Sequence, residues 1–229
     1  MITVISLGGS IIAPDSVDVP FLRDFRSLIA EELAKDEKRQ FIFVTGGGGP
    51  ARTWQNAYRE IAGAANVLDE EADWIGVMAT RLNAQLIKAL MGAWCTQPVI
   101  TNPSEVGPFV GRVLVASGWK PGFSSDYDAV LLAERFSAPL VINLSNIEQV
   151  YTDDPRKNPG AKAIDTISWA DFRAMIGGEW KPGINVPFDP VASRHAERLG
   201  LTVICAAGRN LANLRRLLSN EHFLGTVIS

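Results

Sequence analysis

Cysteine and histidine are both scarce in this 229-residue chain, with two of each. Cys95 and Cys205 stand far apart and neither belongs to a C-x-x-C pair, which argues against a disulfide framework and a metal knuckle. No apolar run approaches the ~18 residues that suggest a membrane span. The N-terminal run lacks the basic segment and small-residue cleavage site of a secretory leader, so the expected location is the cytoplasm. A basic excess is missing too: 22 Lys and Arg against 25 Asp and Glu give a net charge of −3, with a pI near 5.5. Neither nucleic acid nor an anionic membrane is therefore an expected whole-surface partner, although a local basic pocket is compatible with that balance. Internal repeats, low-complexity stretches and an evident linker are also lacking, so a single domain over residues 1–229 is expected.

What is present is apolar residue content of 47%, enough for a large core. Short apolar runs alternate with segments of helical period, the pattern of a mostly parallel sheet covered by helices. Strands are expected at 2–7, 41–45, near Val99, and at 113–116, 139–144, 201–206 and 225–228. Phe21, Leu22, Phe25, Leu28, Ile29 and Leu33 recur at helical spacing. Trp54, Ala57, Tyr58 and Ile61 mark a second helix, with Pro50 near its start. Trp74, Ile75, Met78, Leu82, Leu86 and Leu90 form a longer apolar stripe, which predicts a core helix. Further helices end near Ile176, Leu199 and Leu218, and Ser124-Ser125-Asp126 and Ser168 are suited to capping. The stretch 152–160 is a loop by composition, and the glycine- and proline-rich stretch 177–187 predicts a mobile surface loop.

Two glycine-rich turns, Gly8-Gly9-Ser10 and Gly46 to Pro50, each follow a strand and precede a helix. Backbone N–H groups at such a turn, with the positive end of the helix dipole, can cradle phosphate oxygens. Glycine permits both positive φ and close approach of the anion. Each turn also reads as simple strand-to-helix geometry, but four consecutive glycines followed by Arg52, a fixed cation with bidentate geometry, favour anion binding. A Walker P-loop is absent. Gly46 to Ala51 formally matches G-x-G-x-x-[GA], yet Asp69 and Glu70 lie at a helix entry, not on a second strand tip, which leaves a nicotinamide oxidoreductase as a minor competitor.

In order and spacing, SLGGS (6–10), TGGGGPAR (45–52), DWIGVMATRLNA (73–84), GWKPGFSSD (118–126), VYTDDP (150–155), KPGINVPFDP (181–190) and GTVIS (225–229) span nearly the whole chain. Together they resemble the archaeal-type uridylate (UMP) kinases of the amino acid kinase superfamily. That resemblance implies a three-layer α/β/α sandwich, a homohexamer, and transfer of the ATP γ-phosphoryl group to UMP with Mg²⁺ as cofactor. It places Gly9, Ser10, Gly48 and Arg52 at the ATP phosphates and Ser145, Tyr151 and Asp154 on the ATP nucleoside side. Gly47, Asp73 and the stretch Trp119, Lys120, Pro121, Gly122, Phe123, Ser124 and Ser125 fall on the UMP side, with Asp73 placed to bond the ribose.

Phosphoryl transfer asks a protein mainly for positioning and charge neutralisation. Arg52 is the candidate catalytic cation, and Asp126 the candidate organising carboxylate for cationic groups or metal-bound water. Asp126 also reads as a helix cap, Asp73 as a partner of a helix dipole, Asp153-Asp154-Pro155 as turn chemistry and Tyr151 as packing. His195 shares a helical face with Val191 and Leu199 and reads as packing. The chain departs from the family pattern at Ser6, where many members carry lysine; Arg52 and Lys181 are the candidate substitutes. Glu148 and Gln149 also depart, and Gln149, at a glycine position, is expected to crowd the nucleotide or redirect the loop. Two other functions fit the residues: a related kinase with another phosphate, carboxylate or phosphonate acceptor, and a nucleotide-binding storage or sensor protein without chemistry.

Overall fold

A computed structural model describes residues 2–177 and 186–229. In chain order its strands and helices are β1 (Ile2–Leu7), α1 (Gly9–Ile12), α2 (Val19–Lys35), β2 (Gln40–Thr45), α3 (Gly48–Ala62), α4 (Asp69–Met91), β3 (Val113–Ala116), α5 (Ser125–Arg135) and β4 (Leu140–Ser145). They continue with β5 (Val150–Tyr151), β6 (Ala163–Ile164), β7 (Thr166–Ile167), α6 (Trp169–Ile176), α7 (Pro190–Leu199), β8 (Thr202–Ala207), α8 (Leu211–Leu218) and β9 (Thr226–Ile228). Lys181 and most of the 177–187 loop lie outside the described residues.

Seven strands form one sheet in the order β3-β2-β1-β4-β8-β9-β7, in which only the β8–β9 pair is antiparallel. A two-stranded ribbon, β5 with β6, stands apart. Because successive strand residues point to opposite faces, the near-continuous apolar strands fill two cores. Ile5, Leu7, Phe41, Phe43, Val113 and Val115 meet α2, α4 and α8. On that side Phe21, Phe25, Phe41 and Phe43 form a run of ring contacts 5.4–5.8 Å apart, and truncating a fully buried ring such as Phe25 to alanine should cost about 3–5 kcal/mol. Val4, Ile42, Val44, Leu114, Val141 and Val203 meet α5, α6 and α7 on the other face. The result is an α/β fold with a mostly parallel central sheet between two helical layers.

Two expectations fail. The apolar stripe on α4 is split: Leu86 and Leu90 pack on the core, whereas Met78 and Leu82 are 56% and 67% exposed. The helix buries Ala72, Val77, Thr80, Asn83, Ala84, Ile87 and Met91 instead. Its covered face needs small and polar residues where it touches the glycine turns, and the large side chains point away. The run near Val99 is not a strand of its own; Ile100 makes one parallel bridge to Ala116, since Pro98 has no N–H to extend a ladder.

The chain proceeds outward from β1 to β2 and β3, then returns to place β4 on the other side of β1. This reversal opens a crevice beyond the carboxyl ends of the strands, the usual ligand position in such sheets. Both glycine turns, the β3–α5 loop and the residues after β4 emerge at that edge.

Candidate active site

At the crevice the two glycine turns press backbone against backbone. A Cβ on Gly9 would lie 2.1 Å from the Gly48 nitrogen, and one on Gly48 2.3 Å from the Gly9 carbonyl oxygen. Gly48 also adopts φ +68°, a conformation that favours glycine. Side chains are excluded here by contact as well as by conformation.

Two cavities open on either side of this seam. The first, about 440 Å³, is lined by Gly46, Gly47, Gly48, Arg52, Asp73, Thr80 and the loop residues Lys120, Pro121, Phe123, Ser124 and Ser125. The second, about 480 Å³, is lined by Gly9, Ser145, Gln149, Tyr151, Asp154 and Arg156, among others. Gly46, Ser125, Asp126 and Val186 line both. The cavities therefore meet at one place, against a glycine backbone and a carboxylate.

Asp126 reaches that junction from the first turn of α5, but it does not cap the helix. Ser124 does so, its hydroxyl accepting from the Tyr127 N–H at 3.2 Å. The Asp126 carboxylate accepts instead from the Ser6 hydroxyl and the Asp189 N–H, each at 3.2 Å. Burial, followed by the nearby Asp189 charge, pushes the Asp126 carboxyl up to about 7. Burial likewise raises Asp189, the cap of α7, whose side chain accepts from the Ala192 N–H at 2.7 Å. Position 6 thus holds a neutral donor to a carboxylate rather than a cation.

Asp73 lies one turn inside α4, and the acidic residues of the first turn are Asp69, Glu70 and Glu71. Those three serve the helix dipole, which frees Asp73 for the first cavity. There it accepts from the Gly122 N–H at 3.2 Å and so pins the β3–α5 loop. Behind that loop, fully buried Asp128 accepts from the Trp119 N–H at 3.1 Å. Burial pushes its carboxyl up to about 7, and the Asp126 charge adds to the shift. Trp119 turns its ring onto Phe123, centroids 4.9 Å apart, with the Lys120 ammonium 4.1 Å above it.

Arg52 and Gly48, expected beside the same phosphates as Gly9, line the first cavity and not the second. The reason is that α3 runs from the seam beneath the first cavity, and Arg52 is anchored there by donating to the Pro14 carbonyl at 2.7 Å. Ser10, Trp119 and Gly122 line neither cavity. Ser10 belongs to the short α1, Trp119 is turned onto Phe123, and Gly122 contributes its N–H to Asp73. Gln149 borders the second cavity, yet its amide donates to Asp165 at 2.7 Å and to the Gly225 carbonyl at 3.2 Å. Its side chain ties the start of β5 to the closing strand, so the expected crowding is relieved by inward rotation. Asp154 is held by a forked contact from Arg156, at 3.1 and 3.2 Å, which keeps its carboxyl below the usual range. His195 packs at 5.5 Å from the Tyr127 ring, as the helical face suggested.

The sequence and the fold have counterparts among known proteins. The sequence profile of the Amino acid kinase family matches residues 1–207. The chain belongs to the amino acid kinase family. Within that family the match is to archaeal-type uridylate kinases. A uridylate kinase of Methanospirillum hungatei is 35% identical over 229 residues, covering 99% of this chain and 94% of that protein. One of Thermoplasma volcanium is 36% identical over 232 residues, covering 98% and 96%. The crystal structure of the Archaeoglobus fulgidus uridylate kinase superposes with a TM-score of 0.83 at 29% identity, each chain covered in full. This kinase membership displaces the nicotinamide reading of Gly46 to Ala51. Thr80 and Asn83 fall in the quoted stretch 73–84 and Asp189 in 181–190, but none was singled out as a site residue; the polar positions on the covered face of α4 were the available signal for the first two.

Proposed function

We propose that the chain transfers the γ-phosphoryl group of ATP to UMP, giving UDP and ADP, as a step of pyrimidine nucleotide supply. The observation that carries this is the junction of two nucleotide-sized cavities at Gly46, Ser125 and Asp126. UMP in the first cavity and ATP in the second would bring an oxygen of the acceptor phosphate against the γ-phosphorus. The new P–O bond forms there as the bond from the γ-phosphorus to the β,γ-bridging oxygen breaks, with the electron pair leaving on ADP.

Most of the protein's contribution is placement. Asp73 is assigned to the UMP ribose, and Arg52 and Lys120 provide positive charge beside the acceptor phosphate. Gly9, Ser145, Tyr151 and Asp154 are assigned to ATP, with Ser10 one residue from the contact. Asp126 is the organising carboxylate: a partly desolvated acid between the ATP triphosphate and the UMP phosphate is best satisfied by a cation. That donor set fits Mg²⁺ carried mainly by phosphate oxygens and water, since among the described residues no group of three or more acidic, cysteine or histidine side chains is placed to hold an ion. Bound Mg²⁺ would supply neutralisation of phosphate charge.

Resemblance supports a homohexamer formed by one continuous domain. The large apolar side chains on α3 and α4 fit a contact between copies, since Trp54 and Ile61 are 69% and 87% exposed and α3 fully buries only Gly49. The cytoplasm is the proposed location, and no described helix is long and apolar enough to cross a membrane. Purified protein with ATP and Mg²⁺ should form UDP from UMP, and Arg52→Ala should lower kcat/KM about 100-fold. A better acceptor than UMP in a panel followed by ADP release would overturn the acceptor assignment. A monomer by light scattering would overturn the hexamer.

A further inference from the structure

The glycine turn after β2 is tied at both ends by its own backbone, the Gly46 N–H donating to the Leu7 carbonyl at 3.0 Å and the Gly49 N–H to the Ala13 carbonyl at 2.8 Å. Asn83, on the covered face of α4, holds the peptides between them. Its side-chain amide donates to the carbonyl oxygens of Gly46, at 2.7 Å, and Gly47, at 3.2 Å. The residue is buried and lines neither cavity, whereas Gly46, Gly47 and Gly48 all line the first. Among the described residues every peptide bond is trans. In a trans peptide the carbonyl and the following N–H point in opposite directions. Drawing the Gly46 and Gly47 carbonyls toward α4 therefore turns the N–H groups of Gly47 and Gly48 away from it, toward the seam where the cavities meet. One turn earlier Thr80 accepts from the Gly118 N–H at 2.8 Å and donates to the Val77 carbonyl at 2.6 Å, so the same face of α4 fixes the start of the opposite loop.

We infer that Asn83 is a positioning residue for phosphoryl transfer: by holding two carbonyls from the core side, it aims the Gly47 and Gly48 N–H groups at the phosphate oxygens. This rests on the phosphotransfer function proposed above. Preoriented donors of this kind act without reorganisation as charge shifts in the transition state, whereas free peptide groups would have to rotate.

Asn83→Asp tests the inference, because it keeps the size and removes both donors while facing the carbonyls with a negative oxygen. With the folded fraction verified by near-ultraviolet circular dichroism, kcat for UDP formation should fall about 100-fold, while KM for ATP stays within about twofold. Asn83→Ala, in which a water can replace part of the lost donation, should fall about 10-fold and serves if the aspartate variant does not fold. Crystal structures of wild type and variant should show the Gly46 and Gly47 carbonyls released from α4 and the peptides rotated. Unchanged kcat per folded molecule, or unrotated peptides in both variants, would overturn the inference. Because the peptide orientation is read without substrate, a wild-type protein that made no UDP would sink the acceptor assignment and leave the Asn83 inference to be decided by the structures.

Discussion

The two cavities are nearly equal in size but are built from different material. The first is walled by α3, α4 and a loop fastened to α4 through Asp73 to Gly122 and Thr80 to Gly118, and to α5 through Asp128 to Trp119. The second is walled by strand ends and the turn-rich stretch after β4, where Asp153, Asp154, Arg156 and Asn158 bond mainly to one another at the surface. Side chains anchored on packed helices hold a fixed shape, whereas a self-bonded surface loop can yield to its ligand. Discrimination between nucleotides should therefore be stricter on the UMP side than on the ATP side.

The largest effect should come from the seam both cavities share. Gly9→Ala drives a Cβ against the Gly48 nitrogen, and separating the turns should lower kcat by about 100-fold or more, with ~1–3 kcal/mol of stability lost to overpacking. Steady-state kinetics and denaturant titration would measure both, and a variant with wild-type turnover would mean that the seam is not the reaction centre. Next, Asp73→Ala should raise KM for UMP about 10-fold with KM for ATP unchanged, since it removes the proposed ribose acceptor and loosens Gly122 together. Equal changes in both constants would dissolve the distinction between the cavities. Asp154→Ala should be milder, raising KM for ATP about threefold, because its partner Arg156 is exposed and water can replace the carboxylate.

The smallest effect on turnover, and a clear one on stability, is expected at Asp128. Burial pushes its carboxyl up to about 7 in the folded protein, from an ordinary value of 3.8. Between those values the folded state binds more protons than the unfolded state, so this group's contribution is most favourable at acid pH and declines as pH rises toward 7. Asp128→Asn removes that decline. Wild type should lose a few kcal/mol of stability relative to the variant between pH 4 and pH 8, with the difference level above pH 8. Parallel stability curves over that range would show that Asp128 stays ionised throughout, and that the loop behind the first cavity is held differently.

Much of this was legible in the chain. Apolar runs alternating with helical periods gave β1 to β4, β8, β9 and α2 to α8, because a parallel sheet buries both faces and needs such runs; β5, β6 and β7, two residues each, are too short to carry a period. The glycine turns marked the seam through their backbone freedom, whereas the stretches 73–84 and 118–126 pointed to the first cavity through their resemblance to the archaeal-type uridylate kinases. Asp126 was legible as a carboxylate at a helix start, but its release from capping depended on Ser124 taking that role. The stripe on α4 misled for a definable reason. Periodicity reports which residues share a face, not which face is covered, and the face against the glycine turns must be small and polar. Asn83 was hidden by the same fact, because a buried amide in a helix has meaning only once its acceptors, 36 and 37 residues away in sequence, are known.

By itself the sequence determined the α/β class, the order of elements, and the two turns where only glycine fits, because these depend on local period and local backbone freedom. The tertiary structure alone decided that Arg52 and Gly9 face different cavities, that Gln149 turns inward, and that one helix face aims the peptides of a turn. Each of these depends on which groups meet across the fold. Hydrogen bonds and desolvation act over a few ångströms in space, and no local pattern encodes that distance.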